Sequence, residues 1–339
     1  MSDINKIQII HDLKNQFNTS EDMINILTEQ IEESKYKENI DRFFKGYKVE
    51  DSFGEIFSEI PWVKLIHGLS QLQLPIESKE MYQVPDYNLT YETSNLSEKS
   101  ILIEVKSVKG DKSTLELMER QVNALKKYAN VQNTTIVIAI FWNKVNSWTI
   151  NSLENFEPKT KKLKITLIEA IKNDLSIITG DLTFIIPKLY RKSIFDSSIN
   201  DESKIGHEKY GRQISDSISI DNNNYTPIET VESAILDSSI NFKEINKKID
   251  GTKTSIIEES KNIYSYKLSS LMLRFLSMMP SELQNAETRR LSKIVVIDFM
   301  KKININYSYM IPINKNNIID KLFKDAFEDT TVWDSYKQS

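Results

Sequence analysis

The sequence predicts an α/β protein with a mixed-sheet core flanked by helices over residues 50 to about 190, followed by an α-helical C-terminal domain. Three observations carry that reading. Ile101, Ile103 and Val105 alternate with Leu102, Glu104 and Lys106, the period-two pattern of a strand with two unlike faces. TTIVIAIFW at 134–142 is continuously apolar and β-branched, as a strand buried on both faces requires. Between them Leu115, Met118, Val122 and Leu125 form a helical stripe, so strand, helix and strand follow in the order of an α/β unit.

The remaining elements follow along the chain. Ser20 is placed to cap a helix over residues 20–44, with Ile24, Leu27, Ile31, Ile40, Phe43 and Phe44 near helical spacing. Phe53, Ile56, Phe57 and Ile60 predict a second helix within SFGEIFSEIPWVKLIHGL, interrupted or kinked at Pro61. MYQVPDYNLTYE alternates like a strand, and its Pro85, which has no ladder donor, predicts an edge strand or a bulge. The helix over 113–130 is expected to start on a capping box of Ser113 and Glu116. LKITLIEA (163–170) and DLTFIIP (181–187) are further strand candidates, the first with a helical alternative. Residues 196–226 are polar, rich in Ser, Asn and Asp, and lack apolar periodicity, which predicts a linker or mobile loop. The expected organisation is an N-terminal helical segment at 1–49, an α/β domain at 50–195, the linker at 196–226 and the helical domain at 227–339.

Composition narrows the chemistry. With 339 residues the chain is long enough for two domains, and 40% hydrophobic with 27% charged residues is ordinary globular usage. The absence of Cys excludes a disulfide scaffold, cysteine-held metal and thiol catalysis. His11, His67 and His207 are far apart in sequence, so a metal site would have to be built from carboxylates. The net charge of −4 hides an asymmetry: residues 101–200 hold 15 basic and 10 acidic side chains, whereas 51–100 hold 3 and 8. A polyanion would therefore be attracted locally. The first residues lack a basic start followed by an apolar stretch, and no apolar run approaches the ~20 residues of a membrane span. A soluble, cytoplasmic protein without a membrane partner is the expectation.

Glu104 and Lys106 project from one strand face, about 7 Å apart, and Asp86 comes 18 residues before Glu104 across the turn-like SNLSEK. If the two strands pair as a hairpin, two carboxylates and an ammonium meet. Oxygen ligands of that kind suit a hard cation such as Mg²⁺ or Mn²⁺, while the lysine orients the attacking water and offsets charge on a phosphate. Lys109, Lys112 and Lys126 flank this place as candidate phosphate contacts.

Pro85-Asp86 followed by Glu104-Val105-Lys106, with an acidic helix upstream and a glutamine-bearing helix, QVNALKKYA, downstream, resembles the PD-(D/E)xK nuclease superfamily and its restriction-endonuclease-like fold. The resemblance spans roughly residues 50 to 190. It implies a metal-dependent nuclease that hydrolyses phosphodiester bonds of nucleic acid, DNA before RNA, in a setting such as restriction or phage defence. It also implies roles: Asp86, Glu104 and Lys106 catalytic; Glu55 the helix acid, with Glu59 as its alternative; Gln121 the helix glutamine. Asp86, Glu104, Val105 and Glu55 are the implied metal-holding positions. The C-terminal domain is left for a homodimer or a partner protein. The rival expectation is a non-catalytic nuclease-fold subunit that binds nucleic acid or protein, and the intact set of Asp86, Glu104 and Lys106 speaks against it.

Overall fold

The computed structural model describes residues 3–16, 19–71, 73–75, 77–201, 205–280 and 285–339. The chain separates into two compact units, Met1–Gly180 with Ile311–Ser339, and Asp181–Met310.

A five-stranded sheet organises the first unit, in the spatial order β1 (Val63–Gly68), β2 (Tyr87–Glu92), β3 (Glu98–Val108), β5 (Thr135–Trp142) and β6 (Ser147–Ser152). β3 and β5 run parallel, with Glu104 opposite Ile138, and the other neighbours are antiparallel, so the sheet is mixed as expected. Parallel neighbours need a long crossover. Residues 109–134 supply it, carrying β4 (Thr114–Met118), which pairs with β8 (Lys162–Thr166) beside β7 (Glu157–Lys159), and then the long crossover helix.

The helices of this unit are α1 (Asp3–Gln16), α2 (Glu21–Glu29), α3 (Ser34–Lys37), α4 (Ile40–Phe57), α5 (Ser78–Met81), α6 (Glu119–Val131) and α7 (Leu167–Lys172), with Asn317–Phe327 and Thr331–Gln338 at the C-terminal end. Leu102, Ile138 and Ile140 of the sheet pack with Val122, Leu125 and Ala129 of α6. Phe53 and Phe57 of α4 meet the ring of Trp148 edge-on at 5.2 and 6.3 Å. Phe57 is fully buried, so Phe57→Ala should cost about 3–5 kcal/mol, read as a lower urea midpoint at an unchanged slope.

Several local expectations give way to tertiary context. The helix expected over 20–44 breaks after Glu29, because Asp3 takes the amides of Glu32 and Glu33 at 3.0 and 2.8 Å and Ile31 turns into a core with Ile7 and Ile10. Ser20 does cap α2, accepting from the Met23 amide. α4 starts well before Ser52 and ends at Phe57, and beyond Pro61 the chain is strand β1. β1 imitates a helix: it has half-buried Val63 and Ile66 with two exposed residues between them, and a register shift at Val63/Leu65. β2 is an interior strand, and Pro85 precedes it.

The capping box at Ser113 is absent. Leu115 and Leu117 are buried while Glu116 and Met118 are exposed, the alternation of strand β4, and Glu116 pairs instead with Lys159 and Lys162 at 2.9 and 2.8 Å. LKITLIEA is both of its alternatives in succession, β8 and then α7 capped by Thr166.

In the second unit β9 (Thr183–Ile186) lies between β16 (Tyr264–Lys267) and β17 (Tyr307–Ser308). The larger sheet runs β11 (Gly206–His207), β12 (Gly211–Ser219), β10 (Tyr190–Asp196), β15 (Lys253–Ser260), β14 (Phe242–Asp250), with β13 (Thr226–Pro227) added to β12. Segment 196–226 therefore contributes β11, β12 and the start of β13 to this sheet where a linker was expected. Its strand signal was concealed by serine: Asp216 and Ile218 are buried while Ser215 and Ser217 occupy the places where charge or threonine usually marks the solvent side. The helical character expected of the C-terminal part is present in α9 (Leu268–Ser277), α10 (Ala286–Lys302) and Asn317–Phe327, while α8 (Thr230–Ser239) and Thr331–Gln338 were not foreseen, and β14–β17 stand among them. β14 reads FKEINKKID and is exposed along nearly its whole length, so no apolar alternation announces it.

Candidate active site

Asp86 stands immediately before β2. Tyr87 pairs with Ile103, so the antiparallel register brings Asp86 level with Glu104 where the ladder stops. Pro85 has no N–H to continue that ladder, and the Val105 amide on β3 finds Asp86 Oδ2 at 2.7 Å instead of a strand partner. The proline ends the pairing and the aspartate takes over its last bond.

Glu104 is 1% exposed, and its Oε1 collects three donors: Lys106 Nζ at 2.5 Å, Gln83 Nε2 at 2.9 Å and Gln121 Nε2 at 3.4 Å. Lys106 Nζ also donates to the Val105 carbonyl at 2.9 Å. Glu104 Oε2 is buried with no hydrogen-bond partner among the described residues. Such an atom is costly unless something else satisfies it.

The α4 acid of this site is Glu50. Tyr87 OH donates to the Glu50 carbonyl at 3.0 Å, and Gly54 leaves room for the ring, since a Cβ there would stand 3.0 Å from the phenol oxygen. Burial pushes the Glu50 carboxyl up to about 7, with Glu104 and Asp51 adding to the rise against Lys106. Burial also raises Asp86 well above the ordinary carboxyl range, with Glu104 the next cause. For Lys106 burial acts downward, but the carboxylates of Glu104 and Asp86 overcome it and hold the ammonium above the usual lysine value.

Glu55, the expected helix acid, is exposed on α4, and Glu59 lies beyond the helix end. Glu50 was missed because the helix was expected to begin near Ser52. It precedes Phe53, Gly54 and Phe57 by three, four and seven residues, a carboxylate on the apolar face of the helix, and that placement was the available signal.

Gln121, singled out from sequence as the glutamine of the downstream helix, donates to Glu104, and Gln83 joins it unannounced by any motif. Lys109 and Lys112 are exposed between β3 and β4, and Lys126 is half-buried on α6. A cleft of about 520 Å³ opens beside the two glutamines, lined also by Lys79, Tyr82 and Arg120, and an adjoining hollow shares Arg120 and adds Lys127. The cations lining these hollows are Lys79, Arg120 and Lys127, interspersed with Glu80 and Glu119, and the three lysines singled out from sequence line neither hollow.

Among the described residues no three His, Cys, Asp or Glu side chains form a ready metal cage. A hard cation does not require one: Mg²⁺ is commonly held by one or two carboxylates and completes its shell with water and substrate oxygens. The donors of Asp86, Glu104 and the Val105 carbonyl, with the unsatisfied Glu104 Oε2, fit such an ion. Among the described residues no helix is long and apolar enough to cross a membrane.

Neither a protein-family model nor a curated protein matches the chain. Among solved structures it is similar to Hjc, a Holliday junction resolvase of the archaeal hyperthermophile Archaeoglobus fulgidus. The likeness covers 40% of this chain and 96% of that one, at 18% identity and a TM-score of 0.30. Similarity that distant carries no weight for the site, which stands on its own geometry.

Proposed function

We propose that this chain is a metal-dependent nuclease of the PD-(D/E)xK type, hydrolysing phosphodiester bonds. The observation that supports it best is the convergence of Asp86, Glu104, Lys106 and Glu50 at one end of β3, with Glu104 Oε2 buried and unpartnered. Three acids crowd one ammonium, and burial with mutual repulsion raises Glu50 and Asp86 so that they retain protons, which a divalent cation would displace.

Asp86, Glu104 and the Val105 carbonyl would hold Mg²⁺ or Mn²⁺, which when bound polarises a phosphoryl oxygen and lowers the pKa of water. Lys106, held protonated by its carboxylate neighbours, is not a base in the ion-free protein. Its ammonium offsets charge on the scissile phosphate and orients the attacking water. Gln83 and Gln121 fix the Glu104 carboxylate through Oε1, which keeps Oε2 available. Lys79, Arg120 and Lys127 offer contacts for backbone phosphates along the cleft. The motif resemblance favours DNA as the substrate and a cytoplasmic setting such as restriction or phage defence, with the C-terminal helices open to a homodimer or partner.

Cleavage of plasmid and oligonucleotide substrates should require Mg²⁺ or Mn²⁺ and stop with EDTA. Undiminished hydrolysis in EDTA would overturn the metal assignment. Gln83→Leu should lower turnover about 10–100-fold with little change in melting temperature, because it loosens a metal-holding carboxylate without opening the core. Steady-state rates beside a melting curve check this, and unchanged turnover would mean that Gln83 does not position Glu104.

A further inference from the structure

The larger sheet of the second unit has two unlike faces. Along β10, Arg191, Ser193 and Phe195 are buried while Tyr190, Lys192 and Ile194 are partly exposed. On the buried side Arg191 donates to Asp216 at 2.7 Å and to Ser233 at 2.5 Å, so its charge is consumed internally.

The open side is neutralised at one place, where Glu259, level with Tyr190, pairs with Lys188 at 2.6 Å. Lys192 is level with Ile257 of β15 and through it with Asn246 of β14; Lys248 lies opposite Ser255, and Lys243 opposite Glu259. Two rings belong to the same side. Tyr190 is two residues from Lys192 and lies under Lys188 Nζ at 5.7 Å, and Tyr225 lies under Lys192 Nζ at 5.8 Å. Ion pairs in this unit engage Lys188, Arg191, Lys267 and Lys302, and among the described residues Lys192, Lys243 and Lys248 have no carboxylate within 4 Å. Over Asp181–Met310 basic and acidic side chains number 18 and 17, so the positive face is a local concentration in a nearly neutral unit.

We infer that this open face binds a single strand of nucleic acid, its phosphates at Lys192, Lys243 and Lys248 and its bases against Tyr190 and Tyr225. Lysines for the backbone with rings between them are what a sequence-tolerant strand binder needs. A duplex fits poorly: five strands at ~4.8 Å spacing make a platform about 19 Å wide, too broad for a major groove of about 12 Å, and paired bases offer the tyrosines no open face. The inference concerns binding alone and does not depend on the nuclease reading.

The test is fluorescence anisotropy of the full chain with a labelled oligothymidylate of about 20 nucleotides, in EDTA so that binding is read without cleavage. Lys192→Glu combined with Lys248→Glu should weaken binding at least about tenfold and flatten the log–log salt slope by about 1.4, at roughly 0.7 per lost contact. Lys301→Glu, an exposed lysine on α10, should change neither. Tyr225→Leu should weaken binding about tenfold at an unchanged slope. If a charge reversal shifts the melting curve, Lys192→Gln with Lys248→Gln replaces it and should show a smaller loss in the same direction. The inference fails if the double variant keeps its affinity and slope, or if Lys301→Glu loses as much. Preference for a duplex, or for vesicles of anionic phospholipid, over the single strand also overturns it. Loss of cleavage in a Glu104 variant that still binds the strand would bear on the nuclease reading alone.

Discussion

Lys106→Ala and Glu104→Gln should each lower metal-dependent turnover by two or more orders of magnitude while the fold persists. Glu104→Gln keeps the shape and the contact with Gln83 but removes the charge that a divalent ion needs. Lys106→Ala removes the ammonium that stands 2.5 Å from Glu104 and 2.9 Å from the Val105 carbonyl, and with it the charge meant for the phosphate. The two should differ in stability. Glu104→Gln relieves a buried carboxylate and should leave the melting temperature unchanged or higher, as is common when functional charge is removed. Lys106→Ala leaves that carboxylate without its counter-charge and should melt lower. Glu98→Ala, at the exposed start of β3, is the control. Equal loss of activity in the control, or a Glu104→Gln protein that unfolds, would make the pair structural and strengthen the non-catalytic rival.

Raising the pH from about 5 to 8 should destabilise the ion-free protein. Glu50 rises from 4.5 to about 7 on folding, so in this window the folded chain keeps a proton that the unfolded chain has released. The stability this contributes is complete below 4.5 and is lost as the pH climbs towards 7. The gap is on the order of 3 kcal/mol, and Asp86 pushes in the same direction. Glu50→Gln should flatten the dependence and raise the melting temperature at pH 8. Mn²⁺ should stabilise the parent more at pH 8 than at pH 5, because the ion competes with those protons. Melting temperature against pH, with and without Mn²⁺, reads all of this, and stability that rises through the window would contradict the assignment.

Much of the site was legible because its signals are local. Alternation at 101–106 and the apolar run at 134–142 mark β3 and β5, and the order of Pro85-Asp86 and Glu104-x-Lys106 implies the hairpin that the register of Tyr87 and Ile103 realises. Leu102 on the Glu104 side also indicated a covered face, and α6 covers it. Glu50 and Gln83 were harder. Glu50 shows as a site acid only once α4 is known to run unbroken from Ile40, and Gln83 sits in an irregular stretch whose side-chain directions no periodicity dictates. In the second unit, serine-rich β12 and mostly exposed β14 lack the apolar contrast on which strand recognition depends.

The most direct test of the central claim is anomalous scattering from crystals soaked in Mn²⁺. An ion held by Asp86 and Glu104 beside the Val105 carbonyl, and missing from Glu104→Gln crystals soaked alike, is the expected result. A soaked crystal with no ion at these carboxylates, or with one that persists in Glu104→Gln, would contradict it.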